Sequence, residues 1–405
     1  MDRAKKIRIL TRVGHGANDM YFFTFPSVLP LILAQFGFSY TAAGGYLTAF
    51  LCTVAVFSFV FGKLADRFPR WLFLAGGFFT ASAALTAAGF MPSLGLFMLF
   101  LLVTAVGVST YHPVAYAVMD DGSSGGRGQM FAMFEIFGAA RVLSLFLLHG
   151  ALLTTVGWRT VVLITAIPGF IMGSLFALNR RAVDAEAPSA ARARGGDARR
   201  LAQPPRPAPE RRAAIPVVVV FFASIVLRIL CFASVWNFMP TFLADGVGLE
   251  SHMASFVTGF LFLGGILVNL FAGRLADRFG PLVVVITASV LSGLFVLLAT
   301  YATRIWMLPP VLLLMGAGVS SAIPAQNLIL SMLSRQGRKG EAFGFLMGLI
   351  TVTNSVAPLV FGVLADAFGL KAALRLVSIP LWASCLLVLL LRRAPALRLG
   401  AAARR

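Results

Sequence analysis

The sequence predicts an all-α integral membrane protein of twelve transmembrane helices in two six-helix halves. Three observations carry this. Apolar residues make up 59% of the chain and charged residues only 12%, about half the share of a soluble domain. Apolar runs of about 20 residues recur along the whole length, enough to cross a bilayer as helix. Third, Gly62-Lys63-Leu64-Ala65-Asp66-Arg67-Phe68 returns 211 positions later as Gly273-Arg274-Leu275-Ala276-Asp277-Arg278-Phe279. The same offset aligns Gly107-Val108-Ser109-Thr110 with Gly318-Val319-Ser320-Ser321, and Pro113 with Pro324.

Taken in order, the first half has spans at about Val13–Phe36, Ala43–Phe61, Trp71–Phe90, Leu94–Met119, Gln129–Thr154 and Thr160–Leu178. The first repeated loop closes span 2. Asp120 to Gly128 is a Gly/Ser-rich turn; it lacks the preceding strand and the Lys-Ser/Thr ending of a phosphate loop. The second half repeats the scheme at about Ile215–Ala244, Met253–Phe271, Leu282–Tyr301, Met307–Met332, Glu341–Ala365 and Ala372–Leu391. Helix is required throughout, since open strands leave backbone groups unbonded in lipid. The expected domains are 1–178, a flexible basic linker at 179–214, and 215–405 with a short basic tail. The linker holds nine arginines, five prolines and no aromatic residue, too little apolar surface to order itself.

The net charge of +19 does not point to nucleic acid. Twenty-eight of the 34 Lys/Arg residues fall in the tails and alternate loops, on one face. Such asymmetry marks the cytoplasmic side, so both termini are expected there, in the inner (plasma) membrane. Cys52, Cys231 and Cys385 lie in apolar segments without paired spacing and read as buried hydrophobes. Neither a Walker loop nor a His/Cys cluster with metal-ligand spacing is present, so no metal, no cofactor and no enzyme activity are expected.

Ionisable groups within spans are few, and each costs at least roughly 2.5–3.5 kcal/mol to insert. His15 and Asp19 lie one turn apart on one face of span 1, beside Asn18. Asp19 is about 9 Å into the span at about 1.5 Å per residue, and Glu135 is at similar depth in span 5. His112 is close to the same face in span 4. Carboxylates and imidazoles in one layer can bind and release protons. Each has a bland alternative: Asp19 in a structural bond, His112 satisfying the backbone break at Pro113, His15 and His149 merely interfacial. Arg141 and Arg228 are fixed cations suited to an anionic substrate or a carboxylate, with Arg141–Asp19 a plausible pair. Tyr21, Phe134, Trp236, Asn237, Gln326 and Asn354 are candidate cavity residues.

Two six-helix halves, a long basic linker and Gly-x-Leu-Ala-Asp-Arg after spans 2 and 8 resemble the major facilitator superfamily. His15-Gly16-Ala17-Asn18-Asp19 leading to Pro26 and Pro30, and Tyr111-His112-Pro113, resemble its fosmidomycin-resistance-like exporters. The resemblance implies that spans 1, 4 and 5 border a central cavity. It implies a conformational latch in Gly62, Asp66, Arg67 and Arg70, with Gly273, Asp277 and Arg278 as its second copy. The first copy departs from the usual pattern at Pro69, but the second lacks a basic residue at Pro281, where the first has Arg70, which makes the first copy the stronger latch. The expected function is secondary transport by alternating access, as proton-coupled export of a small organic molecule, anionic where the arginines are its partners. Helix 5 departs from the motif of drug–proton antiporters: Gly138-Ala139-Ala140-Arg141 runs to His149-Gly150 without a proline. The alternatives are an importer, by symport or facilitated diffusion, and a non-transporting sensor or assembly partner. Small-molecule substrate, protons and the lipid bilayer are the expected partners, with a monomer as the working form.

Overall fold

The computed structural model describes residues 3–121, 127–184, 215–302, 304–333 and 339–391. Its elements are helices: α1 (Arg3–Phe36), α2 (Tyr40–Ala65), α3 (Arg70–Phe90), α4 (Leu94–Ser109), α5 (Tyr111–Asp121), α6 (Arg127–Leu152), α7 (Trp158–Leu178) and the short α8 (Arg180–Asp184). The second half holds α9 (Ile215–Thr241), α10 (Ser251–Asn269), α11 (Ala272–Phe279), α12 (Pro281–Tyr301), α13 (Leu308–Leu333), α14 (Lys339–Phe368) and α15 (Leu370–Leu391). Eleven helical stretches among the described residues are long and apolar enough to cross a membrane, and Ile136–Leu152 of α6 is a shorter apolar one. The protein is an all-helical, twelve-span membrane protein.

Surface and interior are those of a chain solvated by lipid. Phe59, Phe90, Leu178 and Trp306 are each more than 60% exposed. Buried hydroxyls turn back to the carbonyl four residues earlier, as Thr11 does to Ile7, Thr24 to Met20 and Thr258 to Ala254. That return bond satisfies a hydroxyl where no water is at hand.

Local breaks follow the prolines. Span 4 divides into α4 and α5 beside Pro113. Pro113 has no N–H for the Ser109 carbonyl, four residues back, and the Ser58 hydroxyl of α2 donates to that carbonyl instead, at 3.1 Å. Pro240 likewise precedes a wider π-helical turn at Phe242–Gly246. The second repeated loop forms a helix of its own, α11, whereas the first ends α2 and continues as a turn.

Contacts divide the chain into two compact units. One holds Met1–Thr24, Phe50–Val142 and Val156–Ala208; the other holds Phe25–Ala49, Leu143–Thr155 and Pro209–Arg405. Helices α1, α2 and α6 therefore contribute to both. In the first unit, α4 lies against α3 through Gly107, whose missing side chain makes room for the Ala81 backbone. In the second, α13 lies against α12 through Gly318, where a side chain would meet Ser292. Both members of the second pair stand 211 positions after the first, so the sequence repeat is also a repeat of packing. Gly264 and Gly316 bring α10 and α13 together at the backbones of Leu313 and Leu261, the close approach that small residues permit in lipid.

Of the expected linker, Arg180–Asp184 forms α8. Val183 is fully buried, and the Asp184 carboxylate accepts the Trp71 N–H at the start of α3, at 3.3 Å. Residues 185–214 lie outside the described residues.

Candidate functional site

In the first unit, α1 and α5 bring one carboxylate between two imidazoles. His15 and Asp19 share a face of α1, with His15 Nε2 3.2 Å from Asp19 Oδ2. His112, at the start of α5, puts its Nε2 3.5 Å from the other oxygen, Oδ1. Asn18, next in sequence, places its side-chain amide 3.3 Å from His112 Nδ1.

The surroundings hold this arrangement. The Tyr111 hydroxyl donates to the Thr11 carbonyl, tying α5 to α1. Its ring lies parallel to that of His15, with centroids 6.4 Å apart. Gly14 leaves room for Tyr111, and Gly138 of α6 leaves room for Asp19 and His15; a Cβ at Gly138 would stand 2.8 Å from His15 Cε1. His15 is buried, while His112 and Asp19 keep 29% and 21% of their side-chain surface exposed. The cluster is thus packed on one side and reachable on the other.

The other site residues named from the sequence fall in different places. Arg141 is exposed and lays its aliphatic stem over Gly16; its expected ion pair with Asp19 is not among the ion pairs of the described residues. Arg228 of α9 is buried and donates to Gln326 Oε1 of α13. That joins two candidates that the sequence gave no reason to pair. Asn237 donates to the Ala233 carbonyl of its own helix at 2.8 Å, and the Trp236 ring lies tilted beside that of Phe232, with centroids 6.3 Å apart. Asn354 is half-buried on α14. Tyr21 lies inside the first unit, bonded to the Ser82 hydroxyl at 2.8 Å and covered by Gly169. The side chains of Glu135 and Phe134 lie outside the described residues. In the repeated loops, Asp66, Arg67, Asp277 and Arg278 are exposed, Gly62 approaches Pro113, and Gly273 faces open space.

Sequence reasoning missed a third copy of the loop string. Gly362-Val363-Leu364-Ala365-Asp366-Ala367-Phe368 keeps Gly-x-Leu-Ala-Asp-x-Phe and replaces the Arg by Ala367. It ends α14 in the second unit. There Asp366 accepts the backbone N–H of Tyr40 at 3.0 Å and of Thr41 at 2.7 Å. The Tyr40 hydroxyl donates to Asp245 at 3.1 Å. Tyr40 and both acids line a cavity of about 330 Å³ with Pro30, Leu33 and Phe38. Also in this unit, His149 is fully buried and meets the Ser27 hydroxyl at 2.7 Å.

The Major Facilitator Superfamily profile matches residues 13–250 and again 221–405. Among curated proteins, the chain is 26% identical to the tetracycline resistance protein, class B, of Escherichia coli over 170 residues, 42% of this chain and 39% of that one. It is 28% identical to multidrug resistance protein MdtG of Enterobacter lignolyticus over 167 residues, 40% of each. It is 30% identical to the human putative transporter SVOPL over 117 residues, 29% of this chain and 24% of that one. The matches thus span less than half the length of these relatives. The fold matches a bacterial homologue of the lysosomal transporter Spinster, solved in an inward-facing, occupied conformation, with a TM-score of 0.75 at 14% identity over 96% of this chain and 97% of that one. The nucleoside transporter NupG matches at 0.73 and 14% identity, over 96% of this chain and 100% of that one.

Proposed function

The chain belongs to the Major Facilitator Superfamily, a family of transporters and not of enzymes, and from that premise we propose that it exports a small anionic organic molecule in exchange for protons. The observation that carries the reading is Asp19 held between His15 and His112. A carboxylate and two imidazoles in contact, partly open to solvent, are three side chains of the kind that take up and give up protons. In exchange, protons and substrate occupy the group in turn: protonation of Asp19 weakens its hold on its partners or on substrate and permits the turnover.

Two further features support the reading. Arg228 is a buried cation whose bonded partner, Gln326, is neutral, so the charge is left for an anion to complement. Asp366 accepts two N–H groups at the start of α2, while Asp66, in the first copy of the same string, has no hydrogen bond among the described residues. We read the two as latches on opposite faces, made in alternate states as alternating access requires. The excess of Lys/Arg in alternate loops supports cytoplasmic termini in a plasma membrane. Export is favoured by the drug-resistance proteins among the relatives.

Everted vesicles energised by respiration test the proposal. Anionic antibiotics including fosmidomycin, organic acids and sugars are added in turn, and the proton gradient is followed with a dye. Substrate-dependent collapse of the gradient, absent in Asp19→Asn, is expected. Collapse retained in Asp19→Asn would overturn the assignment of Asp19, and accumulation without proton movement would make the protein a uniporter.

A further inference from the structure

The contacts within the Asp19 cluster have the wrong length for the ion pairs they resemble. Charge-assisted N–H···O bonds run at about 2.7–2.9 Å. The two contacts here are 3.2 Å and 3.5 Å, each to a different carboxylate oxygen. Donors about 2.0–2.1 Å from one tetrahedral ion stand about 3.3 Å from each other. The two histidine–carboxylate spacings are close to that value, and the donor atoms of the three side chains all lie within 4.8 Å of one another.

We propose that His15, Asp19 and His112 bind a borderline divalent cation of the Zn²⁺, Co²⁺ or Ni²⁺ class, and that the transported species carries it. The proposal rests on the transport reading above and names the chemistry of its cargo. Two imidazoles and one carboxylate suit these ions; Mg²⁺ and Ca²⁺ take oxygen ligands alone. The supporting shell is in place. The Asn18 amide, 3.3 Å from His112 Nδ1, meets the ring nitrogen that faces away from Asp19. The parallel Tyr111 ring fixes the orientation of His15. A side chain at Gly138 of α6 would strike Asp19 Oδ2 and His15 Cε1, so glycine there leaves the two ligands their places. His112 and Asp19 retain solvent exposure, so the ion has a way in.

Charge gives the second half of the argument. With both imidazoles neutral, the triad carries one negative charge, and a bound divalent ion makes it positive. Three protein ligands leave at least one coordination position open. An anionic donor group of a small organic molecule fits that position, so the cation arrives bare or as the complex of such a molecule. Protons compete for the same three ligands, because each must be deprotonated to bind.

The test is a titration of the purified full chain, prepared without a polyhistidine tag, with Co²⁺ alone and with Co²⁺–citrate. We expect one equivalent of Co²⁺ to produce a visible d–d absorption that Zn²⁺ abolishes. Asp19→Asn, His15→Gln and His112→Gln, each checked as monodisperse by size exclusion, should weaken binding at least tenfold, and Cys52→Ser should leave it unchanged. A shifted band with citrate identifies a chelate as the species bound; an identical band identifies the bare ion. Failure to bind one equivalent, or binding unchanged in Asp19→Asn and His112→Gln, overturns the proposal. If Co²⁺ fails to bind while substrate-driven proton movement persists, the cation site alone is wrong. If Co²⁺ binds and no flux is found, the transport reading is wrong and the site stands.

Discussion

The Asp366 carboxylate accepts the Thr41 N–H at 2.7 Å and so caps a helix that begins 326 positions earlier, at Tyr40. Its other oxygen takes the Tyr40 N–H, and Ser39 of the local chain takes that of Ala42 at 3.1 Å. The first three donors of α2, which no helix can satisfy internally, are thus divided between a side chain of its own and one from α14. Removing a cap of this kind costs about 0.5–2 kcal/mol, a factor of roughly 2–30 in the population of the capped state. Asp366→Ala should therefore open this end of the molecule. Maleimide labelling of a cysteine placed at Leu33, which lines the adjoining cavity, should rise several-fold in the Asp366→Ala background. Equal labelling in both backgrounds would show that the cap does not hold the closed state.

Beneath the cap, α2 and α14 touch backbone to backbone. A Cβ on Gly44 would strike the Pro358 carbonyl, and one on Gly362 would strike the Tyr40 carbonyl. Neither obstacle is a side chain that can swing aside. Gly45, the next residue, faces open space. Gly44→Ala and Gly362→Ala should each favour the uncapped state by at least the amount that Asp366→Ala does, read by the same labelling. Gly45→Ala should match the unsubstituted protein, since helix formation favours Ala over Gly by about 1 kcal/mol and nothing stands in the way. An effect of Gly45→Ala as large as that of Gly44→Ala would assign the result to backbone flexibility and not to the contact.

The spans were legible because length and hydropathy are properties of contiguous sequence. Twelve were placed, and the breaks at Pro113 and Pro240 lie where prolines stand. The convergence of side chains was legible only where it followed the turn of one helix, as for His15 and Asp19. Bringing His112 to the same carboxylate depends on the rotation of α5 about its axis, which Tyr111 sets by bonding to Thr11. No spacing in the sequence encodes that, so the ligand-like geometry went unseen in a search for metal spacings. Arg228 and Gln326 were each singled out and never paired, for the same reason. The string ending at Asp366 was visible all along, but it lies outside the offset of 211 that relates the two halves.

Proton exchange at the cluster has a signature that a structural role would lack. If Asp19 and the two imidazoles are the coupling group, the transport rate depends on pH through their titration, and fewer titratable members leave a shallower dependence. His112→Gln keeps a neutral polar group of similar reach and removes one titration. If His112 exchanges protons during the cycle, the pH profile of the variant should be flatter than that of the unsubstituted protein. Asp19→Asn should abolish substrate-driven proton movement altogether while exchange of labelled for unlabelled substrate, which needs no net proton transfer, persists. Loss of exchange as well, with the protein still monodisperse, would place Asp19 in substrate binding and not in coupling.

Arg228 and Gln326 form a pair whose two members answer different questions. Both are buried, and the guanidinium donates to the amide oxygen. Gln326→Leu takes away that acceptor and leaves the buried cation short of a partner, at a cost of about 1–3 kcal/mol or more for a charged group. It should lower thermal stability. Gln326→Glu keeps an acceptor at the same place and neutralises Arg228, so it should preserve stability. If Arg228 serves an anionic substrate, the new carboxylate competes with that anion, and the half-saturating concentration should rise at least tenfold with little change in melting temperature. Unaltered transport in Gln326→Glu would make Arg228 a structural cation, and the anion would have to be held elsewhere.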